Sequence, residues 1–338
     1  MSGHKWERDL DRPNSGTRLE DALPYRKDRE RAYREGFDEF IDRAISVRLG
    51  AKAWRVHPNV NLYLDITGHC TSSCPFCIAR TTYPRGTASP VAYLDALRKA
   101  REITSVLSPS VQIVGGEPTV DPKLPDVLDA IQGMRRPVLG TNGARLDDLV
   151  DVVNRSDLEH VNISRHHWDD GINGGIFVGG VPTGHELSET IHALRPAVRL
   201  QCNMIGGVVD DFSGVLRFLD FAMDCGADAV AFAQLTPLPR CDIYQDRIID
   251  YVASHQVDFE SILASVSSDT RFVFEKYRGG VACYYEVWRY SGVPVLFKMS
   301  DNEWLRKADL IPDCIPDLVL HTNGRLCASW NREIKEIA

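Results

Sequence analysis

No run of about 18 apolar residues occurs in the 338-residue sequence, so no transmembrane helix is expected. The opening residues Met1-Ser2-Gly3-His4-Lys5-Trp6-Glu7-Arg8 lack the apolar segment of a secretory leader, and the expected location is cytoplasmic. An excess of positive charge is also missing. Against 47 Asp and Glu stand 39 Lys and Arg, a net charge of -8. That balance disfavours nucleic acid or an anionic membrane as partner, while leaving room for a local basic pocket. Internal repeats and low-complexity linkers are absent too. What remains, 43% hydrophobic and 25% charged, suits a globular chain with a sizeable core. Its nine cysteines, without an export signal, point to metal or thiol chemistry and away from a disulfide framework.

Residues 1–57 are rich in charge. Phe37, Phe40, Ile41, Ala44, Ile45 and Val47 recur at helical spacing and predict an amphipathic helix running through 24–49, with a mobile extreme N-terminus before it. From Asn59 onward short apolar runs alternate with helical patterns, the signature of repeated βα units around parallel strands. Strands are predicted at 60–66, 111–114, 138–140, 160–164, 199–205 and 229–235. Helices are predicted at 90–107, 124–133, 145–153, 186–194, 212–225 and 243–263. Six units are too few for a closed eight-stranded barrel. The predicted fold class is therefore α/β, a partial (β/α)6 TIM-type barrel over 58–267. It carries a helical N-terminal extension (1–57) and a small β-rich C-terminal extension (268–338), with short strands at 281–290, 293–298, 318–321 and 325–328. In parallel α/β folds the reactive groups gather in loops at the carboxyl ends of strands.

The first strand runs into Cys70-Thr71-Ser72-Ser73-Cys74-Pro75-Phe76-Cys77, a C-x3-C-x2-C motif. Three close thiolates can hold three corners of a four-iron cube and leave one iron open. A structural zinc site is the alternative, and it needs a fourth ligand such as His69 or a distant cysteine.

This motif, with an aromatic residue before its last cysteine and just after a first strand, resembles the radical S-adenosylmethionine (SAM) superfamily, in its MoaA-like branch. The resemblance continues through Gly115-Gly116-Glu117-Pro118 after the second strand, Thr141-Asn142-Gly143 after the third and Ser164 at the end of the fourth. It extends to Asn203 on the fifth strand and Gln234 on the sixth, covering about 59–239 in order. It implies a [4Fe-4S] cluster on Cys70, Cys74 and Cys77, whose open iron chelates SAM, and reductive cleavage of SAM to a 5′-deoxyadenosyl radical. It also implies Phe76 beside the adenine, Gly115, Gly116 and Glu117 at the SAM ammonium, and Asn142, Ser164, Asn203 and Gln234 as further SAM contacts. An external one-electron reductant such as flavodoxin or ferredoxin is the implied partner.

Arg165-His166-His167-Trp168-Asp169-Asp170 follows the fourth strand. A guanidinium there can pair with an anion and an imidazole can carry a proton, so Arg165, His166 and His167 are the catalytic or substrate-binding candidates; the alternative is a loop whose polar groups bind one another. Cys202 and Cys225 read as small buried hydrophobes, and Cys241 can approach the cavity. Cys283, Cys314 and Cys327 are candidates for an auxiliary iron-sulfur cluster, although no paired C-x2-C stands beside them. The Asn323-Gly324 pair signals a hairpin turn.

The expected function is radical SAM chemistry on a small molecule, of the nucleoside or nucleotide-sugar kind handled by tailoring enzymes of antibiotic pathways. A peptide-modifying radical SAM enzyme is one alternative. An iron-sulfur regulator or electron carrier is another.

Overall fold

Alternation within the strands decides the architecture. Leu62 and Leu64, Val161 and Ile163, Val198 and Leu200, and Val230 and Phe232 are buried in one large apolar core. Their neighbours Asn61, Tyr63, Asp65, Ser164 and Gln201 line a cavity. With a side-chain period of two, one face of each strand packs on helices and the other faces the interior of a curved sheet.

The computed structural model describes residues 15–79, 86–241, 244–331 and 334–338. The central strands are β3 (Asn61–Asp65), β4 (Ser110–Val114), β5 (Arg135–Thr141), β6 (His160–Ser164), β7 (Ala197–Met204) and β8 (Ala229–Gln234). They lie side by side in sequence order, parallel throughout. Helices α3 (Pro90–Thr104), α4 (Leu124–Ala130), α5 (Val150–Arg155), α7 (Gly184–Ala193) and α8 (Phe212–Asp224) connect them. Sequence signals for these helices are visible locally: Ser89 caps α3 ahead of Pro90, and Thr183 with Glu186 forms a capping box on α7.

The chain departs from the sequence-based expectation at both ends. Instead of one helix over 24–49 there are two, α1 (Leu19–Lys27) and α2 (Arg29–Arg43), broken at Asp28, whose carboxylate accepts from the Arg31 amide. Residues Ile45–Leu49 form strand β1, which pairs with β2 (Lys52–Val56) as a hairpin. The β-branched Ile45 and Val47 belong to a strand that their helical spacing disguised. The expected helix at 243–263 is likewise two, α9 (Asp246–Ser254) and α10 (Phe259–Ser268); Ile243 lies outside the described residues, as do residues 1–14 at the N-terminus.

After 268 the chain builds β9 (Phe272–Gly280), β10 (Cys283–Tyr290), β11 (Val293–Ser300), α11 (Asn302–Asp309), β12 (Cys314–Ile315), β13 (Leu318–Leu320) and β14 (Leu326–Cys327). This segment does not form a sheet of its own. Strand β11 joins β8 in parallel, and β13 joins β3 in parallel at the other edge. The result is an 11-stranded sheet in the order β14-β13-β3-β4-β5-β6-β7-β8-β11-β10-β9, open between its two ends. Strand β12 pairs instead with β2. Gly324, at φ +82, makes the turn between β13 and β14 that Asn323-Gly324 predicted. No helix among the described residues is long and apolar enough to cross a membrane.

Candidate functional site

Cys70, Cys74 and Cys77 lie on the loop after β3, each partly exposed, and none of the nine cysteines is in a disulfide. Turns and cross-links fix the loop: the Cys77 amide donates to the Cys74 carbonyl (3.2 Å) and the Ser73 amide to the Phe177 carbonyl (2.7 Å). Two donors point at the Cys70 sulfur, the Ser72 amide at 3.4 Å and the Asn142 side-chain amide at 3.9 Å. N–H groups aimed at sulfur stabilise thiolate and tune the potential of a bound cluster. The three thiols share one loop, but among the described residues no three His, Cys, Asp or Glu side chains converge closely enough to hold a metal ion, so a cluster would have to draw the loop together on binding.

The loop after β4 is sewn onto the cysteine loop by backbone alone. The Gly116 amide donates to the Thr67 carbonyl and the Glu117 amide to the His69 carbonyl, both at 2.7 Å. A Cβ on Gly116 would stand 2.1 Å from the His69 oxygen, and one on Gly115 would stand 2.7 Å from the Thr67 oxygen. Both glycines are therefore required for close approach. Gly116→Ala is expected to destabilise the cluster-free protein by about 1–3 kcal/mol through overpacking and to lower the iron it retains. Gly175→Ala, inside helix Asp170–Phe177 where an added Cβ meets nothing within 4 Å, should leave the iron unchanged and raise stability by about 0.5–1 kcal/mol. Chemical denaturation and iron assay check both.

Glu117 was expected at the SAM ammonium, but its carboxylate is turned into the protein and is 1% exposed. It accepts from the Thr119 amide (2.9 Å) and hydroxyl (2.8 Å), the Thr141 hydroxyl (2.5 Å) and the Asn142 amide (2.6 Å). Burial pushes this carboxyl up, and those donors oppose the shift. Glu117 thus joins the ends of β4 and β5. Asn142, one of the expected SAM contacts, instead donates to Thr71 (3.2 Å) and Ser72 (3.1 Å) and so supports the cysteine loop.

The polar run after β6 is also scaffold. Arg165, expected to bind an anion, is 2% exposed and spends its donors on the carbonyls of His167 (2.8 Å), Pro182 (2.9 Å) and Trp168 (3.2 Å) and on the Asp170 carboxylate (2.5 Å). His166 and His167 were expected to carry protons. Burial holds the His166 imidazole down to about 3 and lowers His167 as well, so both are neutral near pH 7. The His166 Nδ1 accepts from the Asn203 amide (3.1 Å), which leaves its proton on Nε2. The His166 ring stacks on Phe177 (4.7 Å) and meets the edge of Phe76 (5.2 Å).

Phe177 ends α6 (Asp170–Phe177), a helix that the sequence pattern did not reveal. Its Gly174 and Gly175 dilute the apolar period, although Asp169 at the N-cap was a readable start signal. Gly179 follows, where a Cβ would lie 2.1 Å from the Thr71 carbonyl. The β6 loop and α6 therefore brace the cysteine loop from below.

Ser164 lines the cavity of about 750 Å³ beside the cysteine loop, together with Gly115, Thr236 and Cys241. Gln234 is held by Gln256 (2.9 Å), and its neighbour Thr236 lines the cavity. Sequence reasoning missed most of the wall: Asn61, Tyr63, Asp65, Gln201, Lys298 and Asp317. The available signal was polar residues at every second position of otherwise apolar strands. The three C-terminal cysteines are not gathered for an auxiliary cluster. Cys283 lines the cavity, Cys314 is buried on β12 in the small sheet, and Cys327 is buried on β14.

Residues 64–222 match the Radical SAM superfamily. Among curated proteins, a probable GTP 3′,8-cyclase of Sulfolobus acidocaldarius is 26% identical over 191 residues, covering 53% of this chain and 56% of that protein. A GTP 3′,8-cyclase of Pseudomonas syringae pv. syringae is 28% identical over 188 residues, covering 52% and 54%. The chain thus spans about half the length of these curated relatives. Among solved structures, Streptococcus suis SuiB bound to S-adenosylmethionine superposes with a TM-score of 0.52 at 14% identity, over 82% of this chain and 62% of that one. At that identity the likeness concerns the fold alone.

Proposed function

Because the chain belongs to the radical SAM superfamily, we propose that it holds a [4Fe-4S] cluster on Cys70, Cys74 and Cys77 and cleaves SAM reductively to act on a small polar molecule. The observation that carries this reading is the pair of backbone bonds joining the Gly116-Glu117 loop to the cysteine loop, which sets a glycine cradle beside three thiols. Cys70, Cys74 and Cys77 would hold the cluster, which would supply the single electron that reductive cleavage of SAM requires.

The protein's own residues bind and position. Ser72 and Asn142 donate to the Cys70 sulfur. Gly115 and Ser164 border the cavity beside the cysteine loop. Phe76, packed against His166, forms an apolar edge suited to a nucleobase. A small external reductant such as flavodoxin or ferredoxin is the proposed electron source. The cavity, lined by Asn61, Gln201, Asp65 and Asp317, suits a hydrogen-bonding substrate, and a nucleoside or nucleotide sugar is the class we propose. The curated relatives named above as GTP cyclases support a nucleotide-like ligand.

The test is anaerobic reconstitution, chemical reduction and addition of SAM, with 5′-deoxyadenosine measured. Product that depends on the reductant is the expected result. A fully loaded cluster that yields no product, with or without candidate nucleosides, would instead favour an electron carrier or regulator.

A further inference from the structure

Of the large apolar side chains that stay exposed among the described residues, Ile78 and Trp330 line the cavity. Ile78 directly follows the cysteine motif, whereas Trp330 comes from the far C-terminal end of the chain. Its ring meets Tyr63 of β3, with centroids 4.9 Å apart and planes tilted by 56°, yet it is still 40% exposed. Tyr63 faces inward because Leu62 and Leu64 on either side of it belong to the helix-facing core. Protein therefore uses one part of the indole, and the cavity receives the rest.

The segment that carries Trp330 is fixed on both sides. It forms the loop between Cys327 and Glu336, which bridge in antiparallel fashion. The His321 Nε2–H donates to the Ser329 carbonyl (3.0 Å), the Asn331 amide to the Ser329 hydroxyl (3.0 Å) and the Ala328 amide to the Lys335 carbonyl (2.9 Å). An aromatic ring held in place before a ligand arrives costs little entropy to bind against. Polar groups stand beside the aromatic pair. Asn61 and the Trp330 indole lie close to the Asp317 carboxyl, and all three residues line the cavity. Burial, reinforced by Asp309, pushes that carboxyl up to about 7, while Trp330, Asn61 and Lys298 hold the shift back. Near pH 7 Asp317 can thus accept or donate a hydrogen bond. A flat apolar face with donors and acceptors at its edge is the complement of a heteroaromatic ring.

We propose that Trp330 and Tyr63 form a stacking platform for a nucleobase of the substrate, with Asn61 and Asp317 binding its hydrogen-bonding edge. The proposal rests on the reading of this cavity as the substrate site, and it adds the residues that select the ligand and the direction in which the ligand lies. Asp65 stands two residues beyond Tyr63 on the same face of β3 and also lines the cavity, a rise of about 7 Å along the strand. The cysteine loop starts just after it. A base on Trp330 therefore directs its sugar toward Asp65, Gly115 and the cysteine loop, so that the sugar and not the base is nearest the three thiols.

The experiment is calorimetric titration of the full-length, cluster-loaded protein, with SAM present and no reductant, by uridine 5′-monophosphate, guanosine 5′-monophosphate and ribose 5-phosphate. The three probes share a phosphate and a pentose, so the base alone separates them. At least one nucleotide is expected to saturate the wild type, with ribose 5-phosphate bound roughly tenfold more weakly or worse, the difference made by one base–aromatic stack. Trp330→Leu should weaken that nucleotide by a similar factor and leave ribose 5-phosphate unchanged. Trp330→Phe keeps an aromatic face and should stay within about threefold of the wild type. If Trp330→Leu does not fold, fluorescence decides: the nucleotide should quench tryptophan emission in the wild type and not in Trp330→Phe. Binding of neither nucleotide, equal binding of ribose 5-phosphate, or undiminished nucleotide binding by Trp330→Leu overturns the platform, even in a protein that cleaves SAM. Trp330-dependent nucleotide binding by a protein that forms no 5′-deoxyadenosine keeps the platform and discards the proposed SAM cleavage.

Discussion

Alanine at Cys70, Cys74 or Cys77 is expected to bring 5′-deoxyadenosine formation down to background and to remove most of the bound iron. Each substitution takes away one of only three ligands on the loop, and the buried thiols cannot replace it: Cys202 and Cys225 are on the helix-facing side, and Cys314 and Cys327 are in other parts of the sheet, while Cys241 and Cys283 line the cavity on other elements. Cys70 should be the most sensitive, because its sulfur also receives the Ser72 and Asn142 donors. Asn142→Ala should keep iron but shift the cluster potential downward, since one N–H donor to sulfur is lost. Iron assay, redox titration followed by EPR, and product analysis separate these outcomes. A Cys70→Ala protein that retains its cluster and still cleaves SAM would remove the assignment.

The six central strands were legible because each is a short apolar run bounded by helix signals. The predicted 160–164 coincides with β6, and 229–235 differs from β8 by one residue at its end. Less legible was how the chain after 268 is used. Its strands read as a separate unit because they are short and clustered, yet β11 and β13 attach to opposite edges of the parallel sheet. Edge pairing of this kind depends on which hydrogen-bonding edge remains unfilled, a property of the assembled sheet and not of the local sequence.

The site shows the same division. The cysteine motif and Gly115-Gly116 announce close packing and metal chemistry by residue type alone. Arg165, His166 and Glu117 carry functional-looking side chains, but partners distant in sequence claim them: Pro182 for Arg165, Asn203 for His166, Thr141 for Glu117. Polarity in the sequence signals that a group needs a partner, and only the fold says whether that partner is protein or ligand.

Strand β10 couples the cavity wall to the N-terminal helices and gives the largest expected effect on stability. Tyr285 faces inward, and its neighbour Glu286 faces outward, fully buried against Arg26 of α1. The two side chains form a bidentate pair, with Arg26 Nε to Oε1 at 2.9 Å and Nη2 to Oε2 at 2.7 Å. The same carboxylate accepts from the Tyr284 hydroxyl (3.1 Å) and the Trp288 indole (3.0 Å), while Arg26 also donates to Ser267 (2.9 Å) and the Leu263 carbonyl (3.2 Å). Glu286→Ala therefore strands a buried guanidinium together with two aromatic donors, and a loss of about 3–5 kcal/mol is expected. Glu286→Gln keeps the shape but not the charge and should fall between. Removing both charges in Arg26→Met/Glu286→Leu should recover much of the loss, because a well-packed apolar pair has no unpaired ion to desolvate. Urea unfolding of the wild type, Arg26→Met, Glu286→Leu and the double variant gives the coupling energy directly. If Glu286→Ala changes stability by less than about 1 kcal/mol, as an exposed pair would, then α1 is not anchored through this contact. In that case the wall that carries Tyr285 and Lys298 must draw its rigidity from the β9–β10–β11 pairing alone.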